Sequence, residues 1–224
     1  SIPAEIKEFL HLTSGCDRGR VYRLVSPDMQ RHPVVRIGDL DNEQLIQQLA
    51  SDNGWNRETA QRLIWERQDQ SMVEGLIRLL VSTDKPLGRL HSLYALQGLN
   101  ALTPQHVRLG MADAHPRVQA HSIRMAEPFL KTDPQMIDEL LELSNHQNEH
   151  VRFQLAFTLG ESSHPKAIDA LARLTRSSRN SAEVLTALIS SVRSNADQLV
   201  KWLLQDRAFL DQAHAGHVLS ELAL

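Results

Sequence analysis

The chain has 224 residues, of which 42% are apolar and only 4% aromatic, a balance that favours helices over large sandwiches or barrels. A formal charge of −3 argues against a dedicated nucleic-acid binder. The single Cys16 excludes an internal disulfide and a cysteine-based zinc or haem-attachment motif.

The first 40 residues differ in character from the rest. Residues 1–12 predict one short helix, and residues 21–25 alternate like a strand. A lone strand leaves both of its edges unpaired, so we expect it to close a sheet domain lying upstream or to lie against the helical part. Residues 26–40 contain Pro27, Pro33 and Gly38 and predict a linker. Because the chain opens at Ser1 rather than Met, we expect it to be a piece of a longer protein.

From Asp41 onward the pattern is helical. Asp41 with Gln44 resembles a capping box, and Asn56 is interpreted as the cap of the next helix. Thr103 and Asp133 each precede a proline and are good N-caps. Five prolines stand where a first helical turn should begin: Pro86, Pro104, Pro116, Pro134 and Pro165. The predicted helices are 42–50, 56–67, 70–82, 86–98, 104–113, 116–130, 134–144, 149–161, 165–176, 181–193, 195–205 and 210–223.

A repeat runs through these helices. Polar residues recur near the helix starts at steps of 32, 30, 33 and 31 residues, namely at Arg57, Arg89, Gln119, Arg152 and Glu183. Self-similarity of this length, with only helical patterns inside each unit, is typical of stacked helical hairpins. The sequence therefore predicts an all-α superhelix, or α-solenoid, over 41–224, and a short non-helical N-terminal segment over 1–40.

Three stretches carry a family resemblance: TSGCDRGRVYRLV at 13–25, NGWNRETAQRLIWERQD at 53–69 and RLHSLYALQGL at 89–99. They resemble the HEAT-repeat, armadillo-like region of the large membrane-associated or secreted dehydrogenase-like proteins of planctomycetes and verrucomicrobia. In that family a sugar-dehydrogenase-type propeller precedes the helical repeats, and a c-type haem domain often follows them. The chain departs from the family pattern at Asn56, where an aromatic residue is common, and at Cys16, where arginine is common.

The resemblance implies that residues 1–40 end a propeller and that any oxidoreductase chemistry belongs to the propeller and the haem. No CxxCH motif is present in the chain. We therefore expect no catalytic residue, no cofactor and no metal in this region. The resemblance also implies a periplasmic, secreted or membrane-associated location and a protein partner, either the upstream propeller or another polypeptide.

The residues themselves offer one candidate binding surface. Because the second helices of a solenoid line its concave face, polar residues repeated on them form a candidate site for a carboxylate, a phosphate or a protein. These residues are Arg57, Arg89, His91, His121, Arg124 and Arg152. The alternative is that the arginines pair internally and lock the repeats together, which we favour for Arg57 and Arg89 because their neighbours are apolar. The aromatic residues Trp55, Trp65 and Tyr94 are interpreted as core rather than as a ligand platform.

Other chemistry finds less support. His91 and His121 occupy equivalent places but lack a carboxylate at a useful spacing, which disfavours zinc. A hydrolase is disfavoured because the chain has no Gly-x-Ser-x-Gly elbow. The main hypothesis is a non-catalytic scaffold that binds protein. The alternatives are an accessory domain completing a substrate or cofactor pocket of the propeller and, more remotely, a nucleic-acid binder, which the acidic residues among the arginines disfavour.

Overall fold

The computed structural model describes residues 3, 6, 8, 26–28, 35–162, 164–177, 181–192 and 196–223. The chain divides into two compact units, Ser1–Val35 and Arg36–Leu224. The strand predicted at 21–25 lies outside the described residues, as does most of the first predicted helix. The thirteen α-helices that the described residues form all lie in the second unit.

The helices follow one another through short turns. In chain order they are α1 (Asn42–Gln48), α2 (Gly54–Arg67), α3 (Val73–Ser82), α4 (Pro86–Gly98), α5 (Pro104–Met111), α6 (Pro116–Met125), α7 (Pro134–Glu142), α8 (Glu149–Gly160), α9 (Pro165–Ser177), α10 (Ala182–Ser191), α11 (Ala196–Gln205), α12 (Arg207–Leu210) and α13 (Ala215–Leu222). Four 3-10 turns lie at Ile37–Asp39, Gln70–Met72, Glu127–Phe129 and Leu143–Asn145. No strand occurs among the described residues, and the predicted all-α class is confirmed.

Caps and prolines fix most helix starts. The capping box of Asp41 and Gln44 is present, and each of the five prolines opens a helix. The predicted cap Asn56 is wrong, because Asn53 caps α2 and its side chain accepts a hydrogen bond from the Trp55 N–H at 3.0 Å. Asn56 lies inside the helix, where its amide donates to Gln48 at 3.2 Å.

Two predicted helices have different bounds. The helix predicted over 116–130 ends as an α-helix at Met125, because Pro128 lacks the N–H that would continue it, and a 3-10 turn follows. The helix predicted over 210–223 begins later, at Ala215 of α13, and Leu210 instead ends the short separate helix α12. Asp206 starts α12 by accepting the Phe209 N–H at 3.2 Å, and the Phe209 side chain is fully buried.

The helices of the second unit form two layers. Contacts run in series through α2, α4, α6, α8, α10 and α13, which we call the second layer. The remaining helices form the first layer, in which α1 contacts α3 and α9 contacts both α7 and α11. Leu96, Ile123 and Leu155 are fully buried on second-layer helices. Each hairpin thus covers apolar surface of its neighbours, as stacked repeats require.

The repeat is regular in the second layer. Helices α2, α4, α6, α8 and α10 begin at residues 54, 86, 116, 149 and 182. Arg57, Arg89, Gln119 and Arg152 therefore share the fourth helical position, as the sequence repeat predicts. Glu183 does not, because Ser181 caps α10 and places Leu185 at the fourth position instead.

None of the helices that the structure describes combines the length and the apolar character needed to span a membrane.

Candidate binding face of the second helical layer

The arginines at the fourth helical position bind backbone carbonyls inside their own hairpins. Arg57 Nη1 donates to the Ser51 carbonyl at 2.6 Å, Arg89 Nη1 to the Thr83 carbonyl at 3.0 Å, and Arg152 Nη1 to the His146 carbonyl at 2.7 Å. Each carbonyl lies six residues before its arginine, in the turn between the two helices. A charged donor stabilises a carbonyl that the turn would otherwise leave unpaired. These three side chains thus close successive hairpins.

Arg89 also joins one hairpin to the next. Its Nε and Nη2 donate to the Asp113 carboxylate at 2.5 and 2.8 Å, and the two side chains are 17% and 6% exposed. The Asp113 carboxylate accepts the His115 N–H as well, at 2.7 Å. Burial raises the pKa of Asp113, but the hydrogen bonds from Arg89 and His115 and the Arg89 charge outweigh it and hold that pKa below 3.8.

Further ion pairs connect successive hairpins. Arg108 donates to Glu139 at 2.8 Å and to Asp133, the cap of α7, at 2.7 Å. More exposed pairs link Lys85 with Asp52, Lys166 with Asp138 and Arg176 with Asp206. The Arg108 contacts fix neighbouring hairpins against each other beyond what apolar packing supplies, whereas solvent screens the more exposed pairs, which add little.

The two histidines predicted to be equivalent make equivalent contacts. His91 Nδ1 is hydrogen-bonded to Gln61 of α2, and His121 Nδ1 is hydrogen-bonded to the Tyr94 hydroxyl of α4 at 2.7 Å. Each imidazole therefore bridges its helix to the preceding second-layer helix. Burial lowers the pKa of both histidines, and the positive charges of nearby arginines lower it further. Within the described residues, no group of three or more His, Cys, Asp or Glu side chains is placed to hold a metal.

The last predicted site residue, Arg124, differs from the other arginines. It is exposed on α6, and no ion pair joins it to a described residue. Arg117, about two turns earlier on the same side of this helix, is also exposed and equally unpaired among the described residues. Of the six candidate residues, Arg124 alone thus presents its charge freely, while a binding role for any of them remains a prediction.

Aromatic side chains lie on the outer face of the second layer, meaning the side that points away from the first layer. Trp55 and Trp65 of α2 are 63% and 59% exposed, so the prediction that they belong to the core is wrong. The buried stripe of α2 runs through Ala60 and Ile64, and both tryptophans fall outside it. Tyr94 is only partly exposed, with its hydroxyl held by His121.

Two shallow grooves of about 400 and 590 Å³ lie between α2 and α4, and Trp65, Gln97 and Gly98 line both. The first groove is lined by Glu58, Gln61, Arg62 and Tyr94, and the second by Glu66, Gln68, Gln97 and Asn100. Gly98 makes room for the indole, since an added Cβ there would lie 3.0 Å from Trp65 Cδ1. The indole thus rests on the backbone of the next hairpin while most of its surface faces solvent.

Phe153 and Phe157 of α8 were not singled out from the sequence. They are 37% and 38% exposed, and their rings meet edge to face with centroids 5.1 Å apart. Their spacing from the buried residues of the same helix would have identified them as exposed. They lie two residues out of phase with the buried stripe of Val151, Leu155 and Leu159, so they point to the opposite side of the helix.

Comparisons with known proteins bear on the repeat. A model of HEAT repeats matches residues 105–193, which include α6, α8 and α10. A structure titled as the crystal structure of an engineered protein, from the Northeast Structural Genomics Consortium, is similar at 16% identity and a TM-score of 0.38, covering 82% of this chain and 98% of that chain. A search of curated proteins finds no match. HEAT repeats commonly mediate protein interactions. Residues 105–193 are therefore a HEAT-repeat region, and they lie within the all-α, repeat-like arrangement of helices that the described residues of the second unit form.

Proposed function

We propose that this chain is a non-catalytic scaffold that binds protein through the outer face of its second layer. The observation that carries the proposal is the exposure of Trp55, Trp65, Phe153 and Phe157 on that one face. The tryptophans lie on α2 and the phenylalanines on α8; large exposed aromatic side chains are typical of interaction sites, and tryptophan is enriched among the residues that dominate binding energy. The internal pairing of Arg57, Arg89 and Arg152 supports a rigid surface that loses little entropy on binding.

We further propose that the chain belongs to a larger dehydrogenase-like protein that is periplasmic, secreted or membrane-associated, and that its partner is the upstream propeller. The support is the resemblance of residues 13–25, 53–69 and 89–99 to that family. In this proposal the cofactor and the redox chemistry belong to other domains. The accessory-domain alternative uses the same face and differs in predicting that changes on it alter turnover of the longer protein.

The test measures binding between this chain and the segment encoded directly upstream in its reading frame. Trp65→Ala should weaken binding by about tenfold or more, because it removes a large exposed aromatic anchor. Val81→Ala is the matched control, since Val81 is 63% exposed but lies on α3 of the first layer. Equal affinity of the wild type and Trp65→Ala, or an equal loss with Val81→Ala, would contradict the proposed face. Calorimetry supplies the affinities, and circular dichroism checks that each variant is folded.

A further inference from the structure

The centre of the second layer carries an unbalanced positive charge. Helices α4 and α6 contain no aspartate or glutamate. Their cationic residues are Arg89 on α4 and Arg117 and Arg124 on α6. Asp113 neutralises Arg89, whereas Arg117 and Arg124 are exposed and have no ion-pair partner among the described residues.

Arg117 and Arg124 lie on one side of α6. With His121 they occupy positions i, i+4 and i+7, which share a face of a helix. The two arginines are about 10 Å apart along the helix axis at ~1.5 Å per residue. Burial lowers the pKa of His121, and the positive charges of Arg124 and Arg117 lower it further, as expected if both guanidinium groups lie close to this ring.

Two acidic residues of the elements next to α6 accept hydrogen bonds from other side chains. Glu127, in the turn after α6, accepts a hydrogen bond from the Thr158 hydroxyl at 2.9 Å. Glu149, at the start of α8, accepts one from the Ser181 hydroxyl. Neither is within ion-pair distance of Arg117 or Arg124 among the described contacts.

An apolar surface adjoins this charge. Helix α8 packs against α6 and presents the exposed pair Phe153 and Phe157. On the other side, α4 packs against α6 and presents the ring of Tyr94. The outer face therefore places two free guanidinium groups between aromatic side chains.

We propose that the outer face of α4, α6 and α8 binds an acidic segment of a protein partner, with carboxylates on Arg117 and Arg124 and an aromatic or large aliphatic side chain on Phe153 and Phe157. This inference rests on the proposed scaffold function and names the chemistry of its partner. Guanidinium groups suit carboxylates because they donate two parallel hydrogen bonds. Nucleic acid fits less well, because its binding depends on neutralising many phosphates and this face offers only two free arginines.

The experiment measures fluorescence anisotropy of a labelled peptide that alternates glutamate with leucine and contains one phenylalanine. Arg117→Glu/Arg124→Glu should weaken its binding by about tenfold or more, and Phe153→Ser/Phe157→Ser by a smaller factor. The matched control is Arg173→Glu/Arg207→Glu, which makes the same charge change at exposed positions on α9 and α12 and should leave the affinity within about twofold. Circular dichroism verifies folding of all variants.

Three results would overturn the inference. One is that a peptide with lysine in place of glutamate binds the wild type with the same affinity as the glutamate peptide. Another is that Arg117→Glu/Arg124→Glu binds the glutamate peptide as tightly as the wild type does. The third is tighter binding of an oligothymidylate with the same dependence on Arg117 and Arg124, which would indicate nucleic acid. Binding of the upstream segment distinguishes this failure from failure of the scaffold function. If that binding depends on Trp65 but not on Arg117 and Arg124, only the acidic-segment inference is overturned. If the segment does not bind at all, the scaffold function itself is overturned.

Discussion

Removing the Asp113 carboxylate tests how hairpins are joined in the second layer. Asp113→Ala leaves the Arg89 side chain, which is only 17% exposed, without the two carboxylate oxygens that it now contacts. It also leaves the His115 N–H without its acceptor. The Thr83 carbonyl remains as a partner of Arg89 but carries no full charge.

The expected loss is large. Removing one member of a buried ion pair costs ~3–5 kcal/mol in unfolding free energy, because the other charge stays buried. Since Arg89 keeps the Thr83 carbonyl and some solvent contact, we expect a value near the lower end, about 3 kcal/mol. Arg89→Met/Asp113→Ala should lose less than the sum of the two single changes, with a coupling energy of ~1–3 kcal/mol.

Urea unfolding followed by far-UV circular dichroism measures these differences. Asp52→Ala is the control, because Asp52 also pairs with a cation of another hairpin, Lys85, but is 91% exposed. We expect almost no change from it, since solvent screens such a pair. If Asp113→Ala destabilised the chain no more than Asp52→Ala, the Arg89–Asp113 pair would not be the connection described above.

Four further predictions concern helix packing, helix capping and titration. Gly160→Ala should destabilise the chain by ~1–3 kcal/mol, because the added Cβ would lie 2.8 Å from the Ser191 carbonyl oxygen. Gly216→Ala is the control: a Cβ there meets open space, so the change should stabilise the helix by ~0.5–1 kcal/mol. Thermal unfolding of the two variants measures both effects. Asn148→Ala should cost about 1 kcal/mol in urea unfolding by removing the cap of α8, and no change would exclude that cap. Because burial and then Arg124 and Arg117 hold the pKa of His121 below 6.5, unfolding free energy should fall as pH drops from 6.5 towards the folded pKa, and His121→Gln should reduce that fall. The lowered pKa of Asp113 predicts a separate loss of unfolding free energy, which sets in as pH approaches the ordinary value of 3.8 and grows as pH falls towards the folded pKa; His121→Gln should leave this loss unchanged.

Helix starts were the most predictable part of the fold. Proline at a first helical turn and an aspartate or threonine cap are local signals, so Pro86, Pro104 and Asp133 identify their helices without tertiary information. The error at Asn56 arose because Asn53 and Asn56 are both suitable caps. The structure shows that the helix already begins at Gly54, so Asn53 is the cap. The break between α12 and α13 was missed; just before it Phe209 is fully buried, and such a tertiary contact cannot be read from local spacing.

The candidate site was less predictable. Arg89 and Arg124 look alike in sequence, yet Asp113 engages the first and nothing in the described part of the chain pairs with the second. The partner of Arg89 lies 24 residues away, beyond the reach of local spacing. Trp65 was misplaced because tryptophan usually packs inside, whereas here Gly98 lets the indole lie on the surface. The helical position of an aromatic residue relative to the buried stripe, rather than its residue type, distinguishes surface aromatics from core aromatics.

Hydroxyl-radical footprinting of the chain, alone and bound to the propeller segment proposed to lie upstream, tests the central claim most directly. If the outer face of the second layer is the docking surface, binding should protect Trp65, Phe153 and Phe157 from oxidation. The exposed first-layer residues Val81 and Leu204 should then react equally in the free and bound chains. Protection of Val81 and Leu204, with Trp65 and the two phenylalanines unchanged, would contradict the claim.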